Sequence, residues 1–106
     1  DGYARARGRR PMKPLRVDCR QADGSWSCSV VVGDDAGATT HVVQVAADVL
    51  ERLAPGAAAP TALVHASFEF LLEREPRESI LRRFHLPIIG RYFPDYEARI
   101  RERLAH

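Results

Sequence analysis

Hydrophobic and polar residues alternate in two stretches between Leu15 and Val32, and Asp23-Gly24 separates the two stretches. Alternation with a period of two is typical of a β-strand that buries one of its faces. The Asp-Gly dipeptide suits a two-residue type I′ turn, because both of its residues tolerate a positive φ. Residues 15–32 are therefore predicted to form an antiparallel β-hairpin.

The two-residue turn also determines which residues of the hairpin face each other, because pairing proceeds outward from the turn one residue at a time. Cys19 then stands opposite Cys28, and one face of the ribbon gathers the more apolar side chains. That face contains Val17, Cys19, Gln21, Trp26, Cys28 and Val30. A ribbon of this kind is half-buried, with its apolar face turned toward a core.

The rest of the chain adds one more strand and then several helices. Residues 39–45 are rich in β-branched side chains, which favour a third strand. Apolar residues then recur at helical spacing, which predicts helices over residues 47–54, 61–75, 77–84 and 95–104, with another short helical piece between Pro87 and Pro94. The predicted fold is α+β: a three-stranded antiparallel sheet, formed by hairpin 15–32 and strand 39–45, with one face covered by C-terminal helices.

Length and charge divide the chain into two unequal parts. The 106 residues, of which 45% are hydrophobic and 28% charged, suffice for one compact domain, which we place at residues 15–106. Residues 1–14 are predicted to be a disordered basic arm, since the first 16 residues hold six basic side chains and one acidic one. Such an arm is usually solvated, although it can attract nucleic acid weakly and without specificity.

The sequence favours neither export nor membrane insertion. Arg9-Arg10 is followed by two prolines and a lysine rather than by an apolar region, so we expect no twin-arginine export. No apolar run approaches the roughly 18 residues needed to cross a bilayer. The protein is therefore expected to be soluble and cytoplasmic, without a membrane partner, and its two cysteines are expected to stay reduced.

Cys19 and Cys28 are the first candidates for chemistry, as a thiol pair. The first interpretation is that two neighbouring buried thiols pack as small hydrophobic side chains, and the second is a redox switch. A zinc site would need His41 and His65 as further ligands, but the spacing matches no zinc finger. No nucleophile elbow, phosphate loop or dinucleotide fingerprint occurs, so neither an enzymatic activity nor a cofactor is predicted.

Residues 39–75 have the order strand, short helix, turn and longer helix, in the segments THVVQVAADVLERL and PTALVHASFEFLLERE. In that order they resemble ribbon-helix-helix domains, which pair one strand from each of two chains and insert the ribbon into the major groove of DNA. The resemblance implies that Thr40, Val42 and Gln44 face the groove and that the amides near Thr61 contact a phosphate. It also implies a transcriptional regulator or an antitoxin.

A second resemblance involves the C-terminal half of the chain. The string SFEFLLEREPRESILRRFHLPIIGRYFPDYE is similar to the C-terminal half of small uncharacterised bacterial proteins of about this length. That resemblance implies no activity, cofactor or catalytic residue. The aromatic and branched apolar residues of the string are dense enough to form the core that covers the sheet, and the alternative is an exposed groove for a partner.

The sequence therefore predicts a small non-enzymatic binding or regulatory module that engages a protein partner or a second copy of itself as a homodimer. A ribbon-helix-helix type of DNA-binding regulator is the alternative. Nucleic acid is the weaker partner, because the predicted groove face holds Gln44 but no Arg or Lys. The two hypotheses differ in whether strand 39–45 keeps an edge free for a second chain, an edge that the preceding hairpin can occupy.

Overall fold

The computed structural model describes residues 14–105, and in it the predicted hairpin forms with the predicted register. Strands β1 (Leu15–Ala22) and β2 (Ser25–Val32) pair antiparallel along their whole length. Asp23 and Gly24 both have positive φ, of 51° and 78°, as a type I′ turn requires. The turn residues and the alternation of side chains therefore predict this part of the fold correctly.

The predicted basic arm, residues 1–14, lies outside the described residues except for Pro14. The carbonyl of Pro14 accepts a hydrogen bond from the amide of Gly33 at 2.8 Å, which adds one link to the ladder between β1 and β2. The hydrogen-bonded ladder therefore begins one residue before the predicted start of the domain.

The sheet has four strands rather than three. On one side β3 (Thr39–Ala46) pairs antiparallel with β2, and on the other it pairs in parallel with β4 (Arg83–His85). The strand order is β1-β2-β3-β4, so the predicted antiparallel sheet is corrected to a mixed four-stranded sheet, while the α+β class is confirmed.

The helix predicted over residues 77–84 is wrong: the structure has one 3₁₀ turn there, Arg77–Ser79, followed by extended chain that includes β4. A three-residue strand is too short for alternation to reveal it.

The helices begin and end close to their predicted positions. They are α1 (Ala47–Leu53), α2 (Thr61–Leu72), α3 (Ile89–Tyr92) and α4 (Tyr96–Ala105), and a second 3₁₀ turn, Leu86–Ile88, leads directly into α3. α2 ends at Leu72, before the predicted residue 75, and Pro76, which has no amide hydrogen to continue the α-helix, comes directly before the 3₁₀ turn. None of the helices in residues 14–105 is long and apolar enough to span a membrane.

The core lies between the helices and the apolar face of the sheet. Six side chains of this inner face are completely buried: Cys28, Val30, Val32, His41, Val43 and Val45. The five apolar ones belong to the same packed cluster as Phe68 and Leu71 of α2, which are buried as predicted, and the ring of His41 packs beside that of Phe68. Trp26 was expected in this core too, but it is only partly buried, because it lies beside the turn at the end of the hairpin.

The opposite face of the sheet, the outer face, is exposed to solvent or half-buried. Side chains alternate between the two faces along each strand, so the inward and outward sets follow directly from the register. The main polar and charged members of the outer face are Arg16, Asp18, Arg20, Ser27, Ser29, Thr40, Gln44, Arg83 and His85. One solvated face is ordinary for strands paired in this way.

The thiol pair differs from the expectation. Cys19 and Cys28 occupy facing positions of the hairpin, as predicted, with 4.0 Å between their Cα atoms, but their sulfur atoms are joined in a disulfide. A non-hydrogen-bonded pair of strand positions brings two side chains close enough for this bond. The expectation of reduced thiols came from an assumed cytoplasmic setting and not from the geometry of the hairpin, which favours the bond.

A buried hydrogen bond fixes α4 to α2. The hydroxyl of Tyr96 lies 2.6 Å from Oγ of Ser67, which itself donates to the carbonyl of Leu63 at 2.8 Å. The phenol must therefore donate to Ser67. Burial raises the pKa of Tyr96, so the phenol keeps the proton that it donates.

A second contact between α4 and α2 is the ion pair between Arg103 and Glu73, which lies at the surface and contributes little to stability.

Truncation of Phe68 should remove a large part of the stability of the domain. Its ring is completely buried and lies 5.3 Å from the ring of His41 and 6.1 Å from that of Phe84, measured between centroids. Phe68→Ala is expected to lower the free energy of unfolding by about 3–5 kcal/mol in urea titrations, since a cavity replaces the ring. Tyr92→Ala, at a mostly exposed ring, is the control and should cost less than ~1 kcal/mol. A similarly small loss for Phe68→Ala would contradict its place in the core.

Candidate functional site

A groove opens where the end of α2, the segment before β4 and helix α3 meet. Its volume is about 380 Å³, which is at the small end of the range for ligand-binding pockets. Glu75 and Ser79 contribute polar groups to a lining that is otherwise mainly apolar. We name it the α3 groove and define it by Leu71, Ile80, Leu81, Phe84, Ile89 and Tyr92.

Two large hydrophobic side chains are exposed at the α3 groove. Leu81 is 46% exposed and Tyr92 is 64% exposed, and among the described residues no other large hydrophobic side chain is exposed to this degree. Single exposed hydrophobic residues are ordinary on a protein surface, but two that line one apolar groove make that groove a candidate interaction surface. The groove is therefore the strongest candidate for a binding site.

Glu75 is the acidic side chain in the lining of the α3 groove. Partial burial raises the pKa of its carboxyl above the usual value, because the charged form loses contact with water. No basic side chain within residues 14–105 forms an ion pair with this carboxyl. A carboxylate in this position is stabilised by any cation that enters the groove.

One wall of the groove is held by the buried side chain of His41. Its Nδ1 lies 2.8 Å from the carbonyl oxygen of Leu81, and because a carbonyl only accepts, Nδ1 must carry the proton. Nε2 then accepts from Oγ1 of Thr39 at 2.8 Å. Burial lowers the pKa of His41, and the charge of Arg82 lowers it further, so the neutral ring is the stable form. These bonds fix the backbone from which the Leu81 side chain projects.

The 3₁₀ turn that precedes this wall is held by the buried guanidinium of Arg77. Its two terminal nitrogens donate to the carbonyl of Val32 at 3.4 Å and to Oδ1 of Asp35 at 3.1 Å. Glycine is required at position 33 for two reasons. Gly33 has a φ of 92°, and a Cβ there would lie only 2.2 Å from a nitrogen of Arg77. The loop between β2 and β3 is thus built around the guanidinium.

The opposite wall of the groove is held by Arg74. Its guanidinium makes two hydrogen bonds of 2.9 Å to the carboxylate of Asp95 and lies 4.0 Å above the centre of the Phe70 ring. Phe93, in the wall of the groove, packs edge-on against Phe70 with 5.9 Å between ring centroids. Hydrogen bonding from Arg74 lowers the pKa of Asp95, so this pair stays charged at neutral pH.

A second depression, of about 600 Å³, lies between the connector that follows α1 and the end of α4. Alanine side chains, at positions 54, 57, 59 and 62, form much of its lining. Arg52 at its rim is already paired with Glu97. No exposed large hydrophobic residue within residues 14–105 lies there, so this depression offers no anchor point for a partner.

The structure separates the residues that the ribbon-helix-helix resemblance implies for DNA contact. Thr40, Val42 and Gln44 lie together on the outer face, where Gln44 donates to the hydroxyl of Ser27 at 3.4 Å. Thr61 is exposed at the start of α2, a helix that packs on the inner face. The four residues therefore do not form one contact surface.

Strand β3 also lacks the free edge that a ribbon-helix-helix dimer needs. β2 occupies one edge through antiparallel pairing, and β4 occupies the other, with the amide of Val42 donating to the carbonyl of Arg82 at 2.7 Å. A second chain could pair with β3 only if one of these neighbours left the sheet. The fold thus disfavours this mode of DNA binding.

The zinc alternative had required Cys19, Cys28, His41 and His65. The two cysteines are joined to each other, and the ring of His41 is engaged by two hydrogen bonds in the core. His65 lies on α2, with Nδ1 3.8 Å from a carboxylate oxygen of Glu69. In the part of the chain that the structure describes, no three His, Cys, Asp or Glu side chains are grouped so that they could hold a metal ion.

Sequence patterns alone do not distinguish the groove residues from the core. Leu81 and Tyr92 belong to the same apolar string as Phe84 and Ile89, and only the fold shows that the first two are exposed while the others are buried.

No family model, curated protein or solved structure matches the chain. The groove is therefore interpreted from its own geometry and chemistry.

A decrease in pH from 7 to 5 should destabilise the domain through His41. Its pKa is lowered from the usual 6.5, so above pH 6.5 the ring is neutral in both the folded and the unfolded chain. Below that pH the unfolded chain takes up the proton first, and the free energy of unfolding falls by up to about 1.4 kcal/mol per pH unit. In urea titrations at pH 7, 6 and 5, His41→Gln should flatten this fall, whereas the control His85→Gln, on the outer face, should not. An equally steep fall in His41→Gln would exclude His41 as its source.

Proposed function

We propose that the protein is a small non-enzymatic binding module and that the α3 groove takes up a short segment of a partner protein. One observation carries this proposal: the two exposed large hydrophobic side chains of the described residues, Leu81 and Tyr92, line the same apolar groove. In protein interfaces, a few large side chains inserted into such pockets supply most of the binding free energy. The proposed partner segment therefore carries at least one large apolar anchor residue.

The partner segment is also proposed to carry a Lys or an Arg next to its anchor. Glu75 supports this part of the proposal, because its carboxyl is partly desolvated and forms no ion pair with the described residues. A cation from the partner would compensate the charge that has lost its water. Charge complementarity of this kind contributes more to specificity than to affinity.

The walls of the groove are already held in place without a partner. His41 holds the backbone of Leu81, and the bidentate pair between Arg74 and Asp95 supports the wall that contains Phe93. Ordering of side chains and loops on binding costs free energy, so a site that is already ordered binds its partner more tightly through the same contacts. A short segment makes fewer contacts than a standard interface of ~1,600 Å², and we expect a dissociation constant on the order of micromolar.

A random peptide library, displayed on phage and selected on the purified protein, tests the chemistry of the proposed partner. The wild-type protein should enrich peptides with a large apolar residue beside Lys or Arg. Glu75→Lys should shift the selection toward Asp or Glu beside the same kind of anchor, because the charge of the groove is reversed. Glu102→Lys makes the same charge change at an exposed position of α4 and, as the matched control, should select the same peptides as the wild type.

The selected peptides are then titrated against variants by fluorescence anisotropy. Tyr92→Ala should weaken binding roughly tenfold or more, and Glu75→Gln roughly fivefold. Equal binding by Tyr92→Ala, or enrichment of acidic peptides by the wild type, would contradict the proposal. Sedimentation of the protein alone provides a further check, since self-association that Tyr92→Ala abolishes would assign the groove to a second copy of the chain.

A further inference from the structure

The outer face of the sheet differs in charge from the rest of the domain. Residues 1–13 hold five of the 16 basic and one of the 14 acidic residues, so residues 14–105 have a formal net charge of −2. On the outer face, by contrast, three arginines are accompanied by one acidic residue. The arginines are Arg16, Arg20 and Arg83, and the acidic residue is Asp18.

These three arginines are available for an external anion. None of them forms an ion pair with an acidic side chain of residues 14–105. The arginines of the described residues that do form ion pairs lie in the helices or in the 3₁₀ turn after α2. They are Arg52, Arg74, Arg77, Arg99 and Arg103. Three of the six arginines without an ion pair in residues 14–105 thus lie on the face that the helices do not cover; the other three are Arg82, Arg91 and Arg101.

The outer face has long cationic side chains at its edges and short polar side chains in its middle. Arg16 and Arg20 lie on the edge strand β1, and Arg83 lies on the other edge strand, β4. The two edges are three strand spacings apart, which is about 14 Å. Between them lie the hydroxyl and amide groups of Ser27, Ser29, Thr40 and Gln44, together with the half-buried apolar side chains of Val31 and Val42.

We propose that the outer face binds the sugar-phosphate backbone of duplex nucleic acid without reading its sequence. Arginine, hydroxyl and amide groups are the side chains that contact phosphates in such complexes. The separation of the two edges is comparable with the ~12 Å width of the major groove, so the arginines can reach phosphates of both strands. A single strand fits this face less well, because none of its side chains is a Phe, Tyr or Trp that could stack on bases.

This mode differs from that of a ribbon-helix-helix domain. β3 stays between β2 and β4, and the contacts are made to phosphates rather than to base edges. The proposal is independent of the α3 groove, whose exposed residues Leu81 and Tyr92 belong to other elements.

Fluorescence anisotropy with a labelled mixed-sequence duplex, over a series of salt concentrations, tests this inference on the full chain. Replacement of Arg20 and Arg83 by Gln removes one cation from each edge. The double variant should lower the slope of log affinity against log salt by about 2 and weaken binding roughly tenfold or more at low salt. Replacement of Arg91 and Arg101 by Gln removes the same charge from exposed, unpaired arginines of α3 and α4, and this control should bind like the wild type.

Several outcomes would overturn the proposal. Equal affinity and slope in the two double variants would assign any duplex binding to residues 1–13 instead. Tighter binding to a single strand of the same length than to the duplex would reject the duplex as the ligand. Absence of salt-dependent binding by the wild type would reject the outer face as a nucleic-acid site. Circular dichroism of each variant confirms that the fold is retained.

Discussion

Strand β3 lies at the centre of the sheet, and the rest of the structure depends on that position. Hydrogen bonding to β2 and β4 occupies both of its edges, and its inward side chains, among them His41 and Val43, are completely buried. Buried N–H and C=O groups must be hydrogen-bonded, so the second edge of β3 needs a neighbouring strand. The chain that follows Arg77 supplies it as β4. His41 strengthens this arrangement by holding the carbonyl of Leu81, which sets one wall of the α3 groove.

Turn residues and the periodicity of apolar side chains predict the hairpin and the long helices, whereas β4 depends on tertiary contacts. The Asp23-Gly24 turn and the alternation beside it are sufficient for the register of β1 and β2, and helical periodicity is sufficient for α2 and α4. The three residues of β4 are too few to show a periodicity. The strand depends instead on a tertiary contact, because the ring of Phe84 packs beside the ring of Phe68. The disulfide between Cys19 and Cys28 escapes prediction for another reason, because register gives the proximity of two thiols but not their oxidation state.

Sequence patterns alone reveal neither candidate surface: the outer face joins residues that are distant in sequence, and the α3 groove, formed within residues 71–93, depends on which apolar residues of that segment the fold leaves exposed. The positions of Thr40, Val42 and Gln44 on the outer face follow from alternation within β3. The charge of that face comes from Arg16 and Arg20, which the alternation of the hairpin also places there, and from Arg83, which reaches it only through the pairing of β4 with β3. The α3 groove likewise requires the end of α2 to meet the segment after the 3₁₀ turn. The helical side and the sheet side thus present different chemistry.

Amide hydrogen exchange at Val42 tests the central position of β3 most directly. Its amide donates to Arg82 of β4 at 2.7 Å within one chain. The account predicts that Val42 exchanges as slowly as the most protected amides of β3, at a rate that does not depend on protein concentration. Fast exchange at Val42 in dilute solution, slowed only when the protein self-associates, would contradict it, because the strand would then have an edge open to a second chain.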